Sequence, residues 1–396
     1  MHKIERLLQT LAPKGVEFRK LGEVINILKG KQLNKELLLD YGEYPVMNGG
    51  IHASGYWNEY NTDYPKIIIS QGGASAGYVN YMTSKFWAGA HCYAIELNSE
   101  KLNYKFLYYF LKNAQTILMK SQFGAGIPAL NKADIETLTI PIPPLEIQQE
   151  IVKILDAFTE LNTELNTELK ARKKQYQYYQ NMLLDFKDIN QNHKDAKMSA
   201  KTYPKRLQTL LQTLAPKGVE FRKLGEVCDF QKGKSITKKA VTLGKVPVIS
   251  GGRQPAYYHN EANRSGETIA ISSSGVYAGY VSYWDIPVFL ADSFSVSPKQ
   301  KTLMPKYLFH YLTTQQDAIH ATKSTGGIPH VYSKDLQNFL IPIPPLEIQQ
   351  EIVKILDQFS ILTTDLLAGI PAEIKARKKQ YEYYREKLLT FKPLKA

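Results

Sequence analysis

Cysteine is nearly absent from this sequence, which has Cys92 and Cys228 among 396 residues. Two cysteines cannot form the disulfide framework of a small secreted domain. Neither lies near a histidine or cysteine cluster with the spacing of a zinc site. The pair His91-Cys92 could suggest a metal ligand or a nucleophile, but a core or surface pair explains it better. We therefore expect no metal site.

Long apolar runs are also missing. The sequence contains no stretch of about 18 apolar residues, which is the length that a membrane-spanning helix needs. Residues 1–6 lack the apolar centre of a signal peptide. The sequence is 43% hydrophobic and 22% charged, which excludes the disordered and fibrous classes. We expect a soluble cytoplasmic protein with no membrane partner.

Acidic residues are outnumbered, with 37 Asp and Glu against 50 Lys and Arg and a net charge of +13. This excess favours a polyanionic partner, although composition alone does not separate DNA, RNA, an anionic membrane and the ribosome. At about 100–200 residues per domain, the length predicts two or three compact units.

The sequence contains a long internal repeat. Three blocks recur letter for letter, Leu7 to Val24 as Leu210 to Val227, Ile140 to Asp156 as Ile341 to Asp357, and Lys170 to Tyr176 as Lys375 to Tyr381. The period is far too long for a solenoid. The chain is therefore a tandem duplication of a whole domain followed by a helix.

Each half begins with a short amphipathic segment, which in the first half ends at Pro13 and Gly15. Strand-like pieces separated by glycine-rich turns come next, such as Lys66 to Ile69 and Thr268 to Ile271. A probable helix follows in each half. We expect two mixed α+β (α/β) domains, at residues 1–144 and 203–345, with a linker at 188–202.

Apolar residues then recur at spacings of three and four in each half, which is the pattern of a coiled-coil seam. The predicted seam consists of Ile147, Ile151, Ile154, Phe158, Leu161, Leu165, Ile348, Ile352, Ile355, Phe359, Leu362 and Leu366. It predicts long helices at 145–187 and 346–392 that cover each other, in preference to helices that each pack on their own domain. A four-residue insertion with Gly369 and Pro371 predicts a break in the second helix.

The two Pro-Pro-Leu-Glu-x-Gln helix starts and the two "KGVEF..LGEV" blocks resemble the specificity subunit of type I restriction-modification systems. The resemblance covers essentially the whole chain. It implies two target recognition domains, each reading one half of a split DNA sequence. It further implies that the two helices form an antiparallel coiled coil, which sets the spacing of the domains and docks two methyltransferase (modification) subunits, with restriction subunits outside them.

The repeat supports this architecture independently. A duplicated unit with self-complementary helices gives a pseudo-two-fold particle. A DNA-binding protein of that symmetry contacts two separated half-sites of double-stranded DNA. Because the two globular halves differ in sequence, the two half-sites should differ as well.

Duplicated basic turns are the first candidates for DNA contacts. A Lys-Gly-Lys tripeptide at the same place in both halves contributes Lys29, Lys31, Lys232 and Lys234. These lysines could contact phosphates, which position a protein on DNA without reading sequence, or they could belong to solvated turns. Lys323 is a weaker phosphate candidate.

Two polar segments diverge where their flanks agree, which suits base readout but also fits ordinary loop drift. They contribute Gln71, Ser75, Ser273, Ser274 and Tyr277. Gln71 could pair with adenine. Arg253 follows two glycines and could pair with guanine or form a surface salt bridge.

No catalytic pattern is present in the sequence. It has no glycine-rich methyltransferase cofactor loop, no Asn/Asp-Pro-Pro-aromatic motif and no phosphate-cradling Gly-Lys-Ser/Thr loop. We therefore expect a subunit that is not an enzyme and binds no cofactor. The alternatives are a self-contained DNA modification enzyme and a coiled-coil scaffold without DNA function.

Overall fold

The duplication in the sequence recurs in the secondary structure of the computed structural model, which describes residues 2–124, 126–186, 203–299, 301–324, 327–364 and 369–394. The first half contains α1 (His2–Leu11), β1 (Glu17–Lys20), β2 (Ile25–Lys29), β3 (Tyr44–Met47), β4 (Gly55–Trp57), β5 (Lys66–Ser70), β6 (Val79–Met82), β7 (Trp87–Ala88), β8 (Cys92–Leu97), α2 (Tyr104–Lys120), α3 (Lys132–Glu136), β9 (Thr139–Ile142) and α4 (Leu145–Leu184).

The second half repeats nearly the same order. It contains α5 (Lys205–Leu214), β10 (Glu220–Lys223), α6 (Leu224–Val227), β11 (Cys228–Lys232), β12 (Leu243–Ile249), β13 (Tyr257–His259), β14 (Thr268–Ser272), β15 (Val281–Trp284), β16 (Phe289–Leu290), β17 (Ser293–Pro298), α7 (Pro305–Thr314), α8 (Gln316–Ala321), α9 (Ser333–Leu336), β18 (Leu340–Ile343), α10 (Leu346–Thr364) and α11 (Gly369–Leu389).

The chain divides into two compact units, and each unit combines a globular region with parts of the long helices. Unit 1 consists of Met1–Asn166 with Glu373–Ala396, and unit 2 consists of Thr167–Ala372. The proposed linker at 188–202 lies outside the described residues. The mixed α+β fold with paired long helices is confirmed.

The two units have the same sheet topology. Unit 1 has a four-stranded antiparallel sheet in the order β2-β8-β5-β6, a three-stranded sheet β4-β3-β7 and a two-stranded sheet β1-β9. Unit 2 has the orders β11-β17-β14-β15, β13-β12-β16 and β10-β18. In each three-stranded sheet one strand pair is antiparallel and the other parallel.

Strand β5 shows why the central strands are continuously apolar. Successive side chains of a strand point to opposite faces. Ile67 and Ile69 accordingly lie in the main core of unit 1, while Ile68 lies in a separate cluster with Met47 and Phe86. Because both faces are covered, three consecutive isoleucines suit this strand.

The long helices pair in antiparallel orientation. In unit 1, the ring of Phe158 on α4 stacks on Tyr384 of α11 with 5.6 Å between centroids. In unit 2, Tyr179 of α4 stacks on Phe359 of α10 at 5.1 Å. Residue numbers rise along α4 while those of its partners fall, so the antiparallel pairing is confirmed.

The first turns of each long helix pack into the adjoining domain, which the seam did not predict. Ile147 and Ile151 are fully buried in the core of unit 1 together with Leu155, whereas Ile154 is half-buried. The second copy has the same arrangement, with Ile348, Ile352 and Leu356 fully buried and Ile355 half-buried. A domain core therefore covers the first apolar stripe of each long helix, and in unit 1 that core also includes Leu388 and Leu389 of α11.

The rest of the predicted seam has mixed exposure. Leu165 is buried, while Phe158, Phe359 and Leu161 are half-buried. Leu362 is 43% exposed and does not lie in a buried seam, because the buried position near the end of α10 falls on Thr363. Leu366 lies outside the described residues.

The predicted break in the second helix coincides with a left-handed residue. Gly369 has φ of 72°, which a right-handed helix does not pass through. A Cβ on this glycine would also lie 2.5 Å from the carbonyl oxygen of Ile361. Pro371 then falls in the first turn of α11, where proline removes no helical hydrogen bond.

A buried glutamine fixes the start of each long helix to its domain. The Gln148 amide donates to the carbonyl oxygens of Lys101 at 2.8 Å and Pro143 at 2.6 Å, and it accepts from the Asn103 N–H at 2.7 Å. The side chain has no exposed surface. Gln349 makes the equivalent three bonds to Thr302, Pro344 and Met304.

A second polar contact lies two turns further along each long helix. Asp156 of α4 binds Lys105 at 2.7 Å and the hydroxyl of Tyr109 at 2.5 Å. In unit 2, Asp357 binds Lys306 at 2.6 Å and His310 Nε2 at 2.9 Å. Burial raises the pKa of Asp357, but its hydrogen bonds to His310 and Lys306 outweigh burial and keep that pKa below its usual value.

We expect Gln148→Leu to lower the free energy of unfolding by at least about 2 kcal/mol, because each buried polar group left without a partner costs about 1–3 kcal/mol. Urea unfolding followed by tryptophan fluorescence measures this. The control is Gln149→Leu at the exposed neighbouring position, which should change stability by no more than about 0.5 kcal/mol. Equal effects of the two substitutions would contradict the role assigned to the buried amide.

Candidate nucleic-acid interface

Each unit presents a cluster of loops held on the same hydrogen-bonded frame. In unit 2, the Ser273 N–H donates to the Asp292 carbonyl at 2.9 Å, and the Val331 N–H donates to the Ser273 carbonyl at 2.9 Å. In unit 1, the Gln71 N–H donates to the His91 carbonyl at 2.9 Å, and the Leu130 N–H donates to the Gln71 carbonyl at 2.8 Å. The backbone frame is therefore common, while the side chains on it differ.

The Lys-Gly-Lys turns border these clusters, and their glycines allow close backbone approach. A Cβ on Gly30 would lie 2.1 Å from the Gly89 carbonyl oxygen, and one on Gly233 would lie 2.4 Å from that of Ala291. The lysines on either side are exposed and form no ion pair among the described residues; they are Lys29, Lys31, Lys232 and Lys234. Such lysines are free to meet an anion.

In unit 2, the predicted residues Lys232, Ser273 and Ser274 line one cleft of about 410 Å³. Sequence reasoning missed other residues of its wall, which include Asp292, His330, Tyr332 and Lys334. The His330 ring stacks on Tyr332 with 6.0 Å between centroids, and Lys334 Nζ lies 5.4 Å from the Tyr332 ring centroid. In the sequence, His330, Tyr332 and Lys334 occupy every second position after Gly327-Ile328-Pro329. This spacing was the signal that could have identified them.

Arg253 and Tyr277 are brought together beside this cleft. The Arg253 guanidinium lies 5.0 Å from the ring centroid of Tyr277 and 5.5 Å from that of Tyr280. It forms no ion pair among the described residues, so the salt-bridge alternative is not what this conformation shows. Nearby, Lys323 Nζ donates to the Val276 carbonyl at 3.3 Å. Stacking leaves the edge of the guanidinium available to a ligand.

Gln71, a predicted base-reading residue, is half-buried in the frame of unit 1. Its Oε1 atom is enclosed and has no hydrogen-bond partner among the described residues. The hydrogen bonds of the Gln71 backbone to His91 and Leu130 hold this residue in the frame and turn its side chain inward. Ser75 is half-buried in the following turn.

Arg264 is a positioning residue that sequence reasoning overlooked. Its guanidinium donates to the carbonyl oxygens of Gln231 and Lys232, each at 3.1 Å, and to Ser295 Oγ at 2.9 Å. Burial lowers its pKa. Thr62 occupies the same bridge position in unit 1, so unit 2 alone fixes its lysine turn with a charged group.

The two cysteines are buried thiols. Burial raises the pKa of Cys92 and that of Cys228 to about 12 each. Across the described ranges, no group of three or more His, Cys, Asp or Glu could hold a metal ion. No helix within those ranges is long and apolar enough to cross a membrane.

We expect neither cysteine to react with iodoacetamide at pH 8 in the folded protein, because only the thiolate is nucleophilic and a pKa of about 12 leaves almost none. Mass spectrometry with and without urea measures the labelling. Both thiols should react in urea. Rapid labelling of native Cys92 would contradict its burial.

The described residues define a duplicated protein with two diverged loop clusters on a common frame and with paired antiparallel helices. Comparison with known proteins identifies the family to which the chain belongs. The model of the family described as "Type I restriction modification DNA specificity domain" matches residues 13–192 and 216–376.

Curated relatives match along nearly the whole chain. A putative type I restriction enzyme specificity subunit of Haemophilus influenzae is 33% identical, covering 98% of both chains. A type I restriction enzyme specificity subunit of Escherichia coli is 30% identical, covering 99% of this chain and 97% of the relative. The chain belongs to the family of type I restriction-modification specificity subunits.

A solved structure supports the fold. The crystal structure of the type I restriction-modification system S subunit from M. genitalium superposes with a TM-score of 0.66 at 24% identity, covering 95% of this chain and 96% of the other. At this identity the comparison bears on the fold alone.

Proposed function

We propose that the chain is the non-catalytic DNA sequence-recognition subunit of a type I restriction-modification complex in the cytoplasm. Residues 1–144 and 203–345 act as the two target recognition domains, and each reads one half of a bipartite site in double-stranded DNA. The helices at 145–187 and 346–392 set the spacing of the half-sites and dock the modification subunits. The observation that carries the proposal is the divergence of exposed side chains on a loop frame that the two units share.

The divergence follows the division of labour expected at a DNA interface. The Lys-Gly-Lys turns are the same in both units and suit phosphate contacts, which position a protein without reading sequence. Exposed Arg253 stands where unit 1 has Ile51, and Asp292 stands where unit 1 has His91. Side chains of different hydrogen-bonding capacity on one frame read different bases in the major groove.

The long helices offer the same exposed surface twice. Their first twelve residues are identical in the two copies, and this identity includes side chains that packing does not constrain, such as Glu146, Gln149 and Lys153. Two copies of one surface suit two copies of one partner. This repetition supports docking of two methyltransferase subunits. Restriction subunits join the outside of the complex, and these partner subunits supply the chemistry.

The proposal is tested by long-read mapping of modified bases in a host that expresses this chain with its modification subunit. We expect one bipartite motif with two different half-sites separated by a gap of fixed length. A single continuous motif, or none, would overturn the proposal. Binding of S-adenosylmethionine by the isolated chain in calorimetry would favour a self-contained modification enzyme instead.

We expect deletion of Leu161–Glu164, the first of two tandem Leu-Asn-Thr-Glu repeats, to change the gap between the half-sites and leave their sequences intact. Four helical residues span about 6 Å, or about two base pairs. The same methylation map measures the gap. The control is Thr163→Ala, an exposed position in the same repeat, which should leave the motif unchanged. Altered half-site sequences would contradict the proposed division between helices and domains.

A further inference from the structure

Asp292 and His91 occupy equivalent places in the two loop clusters. Ser293 pairs with Ser272 in unit 2, and Cys92 pairs with Ser70 in unit 1. Asp292 precedes Ser293, and His91 precedes Cys92. The carbonyl oxygen of Asp292 accepts the Ser273 N–H, and that of His91 accepts the Gln71 N–H. Strand register therefore aligns His91-Cys92 of unit 1 with Asp292-Ser293 of unit 2. Both side chains are exposed.

The Asp292 carboxylate lies in a basic environment without being neutralised. It lines the 410 Å³ cleft with Lys232, His330 and Lys334, yet it forms no ion pair among the described residues. Among the described residues, its side chain accepts one hydrogen bond, from Ser250 Oγ at 3.1 Å, so most of its acceptor capacity is unused. The carboxylate is also repelled by phosphate, so it does not serve backbone contacts.

The chemistry of the carboxylate restricts what it can meet in DNA. An ionised carboxylate only accepts hydrogen bonds. In the major groove, the donors are the amino groups of cytosine and adenine. Beside the adenine amino group lies the N7 acceptor, which repels the second carboxylate oxygen, whereas cytosine has a C5–H edge there. Cytosine is therefore the base that suits Asp292.

We propose that Asp292 is a specificity-determining residue of unit 2 that accepts a hydrogen bond from the N4 amino group of a cytosine in its half-site. Lys232 and Lys334, on the wall of the same cleft, contact the flanking phosphates. His91 has the corresponding place in unit 1 and, as a different donor and acceptor, reads a different base pair. This inference rests on the proposed function of the chain as a DNA-reading subunit.

Asp292→Asn in the complete complex tests the proposal. Asparagine pairs bidentately with adenine through its N6 and N7 atoms. We expect preference for cytosine over adenine at one position of one half-site to fall on the order of tenfold, while the other half-site stays unchanged. Methylation rates are measured on duplexes that differ only at that base pair, and the modified-base map of the host locates the position.

Two further variants make the result decisive. Asp285→Asn removes an exposed carboxylate of the same unit in the turn after β15, and it should leave both half-sites unchanged. Asp292→His places the unit 1 residue on the unit 2 frame and should alter the same single position. Unfolding midpoints confirm that each variant folds.

The outcomes separate this inference from the function on which it rests. A bipartite wild-type motif that neither Asp292 variant alters would overturn the inference and leave the proposed function standing. Changes at both half-sites would also overturn it, because the effect would not be local. Absence of any bipartite motif in the wild type would overturn the proposed function itself.

Discussion

The structure depends on the buried glutamine at the start of each long helix. Gln148 and Gln349 each join three backbone groups: one N–H in the loop before the domain helix and two carbonyls, one of them in the proline segment. A long helix attached only through apolar contacts could slide or rotate, because the hydrophobic effect is not directional. Three hydrogen bonds from one rigid amide select a single orientation.

The prolines before each helix complete this constraint. Pro141 lies within β9, opposite Phe18 of β1, in a two-stranded sheet, where a residue without an N–H is tolerated. The following Pro143-Pro144 step keeps the backbone extended until the helix begins. Strand, prolines and amide together make the junction between domain and helix a stiff one. The identity of the two copies at this junction is consistent with its mechanical role, whatever side chains the loops carry.

The sequence predicted what depends on periodicity and missed what depends on packing. Heptad spacing was sufficient for two long paired helices, and the repeat was sufficient for two domains of one topology. Leu362 was misassigned because periodicity does not reveal a local shift of the buried face, which falls on Thr363 near the end of α10. Gln148 was unremarkable in sequence, because a polar residue on the fourth position of a helix normally faces solvent. The Lys-Gly-Lys turns were visible as motifs, whereas the inward side chain of Gln71 and the ring contacts of Arg253 follow from loop geometry that no local pattern encodes.

Unit 1 is built from two segments that lie far apart in the sequence, and this affects how the chain folds during synthesis. Its core includes Leu388 and Leu389, which are buried against residues near the beginning of the chain. The 206 residues of Thr167–Ala372 must be made between Asn166 and Glu373, which takes about 10–40 s at about 5–20 residues per second. During that interval the nascent first domain exposes the apolar surface that its last helix will cover. Unit 2 is made from one continuous segment and has no such delay, so the domain synthesised first is completed last.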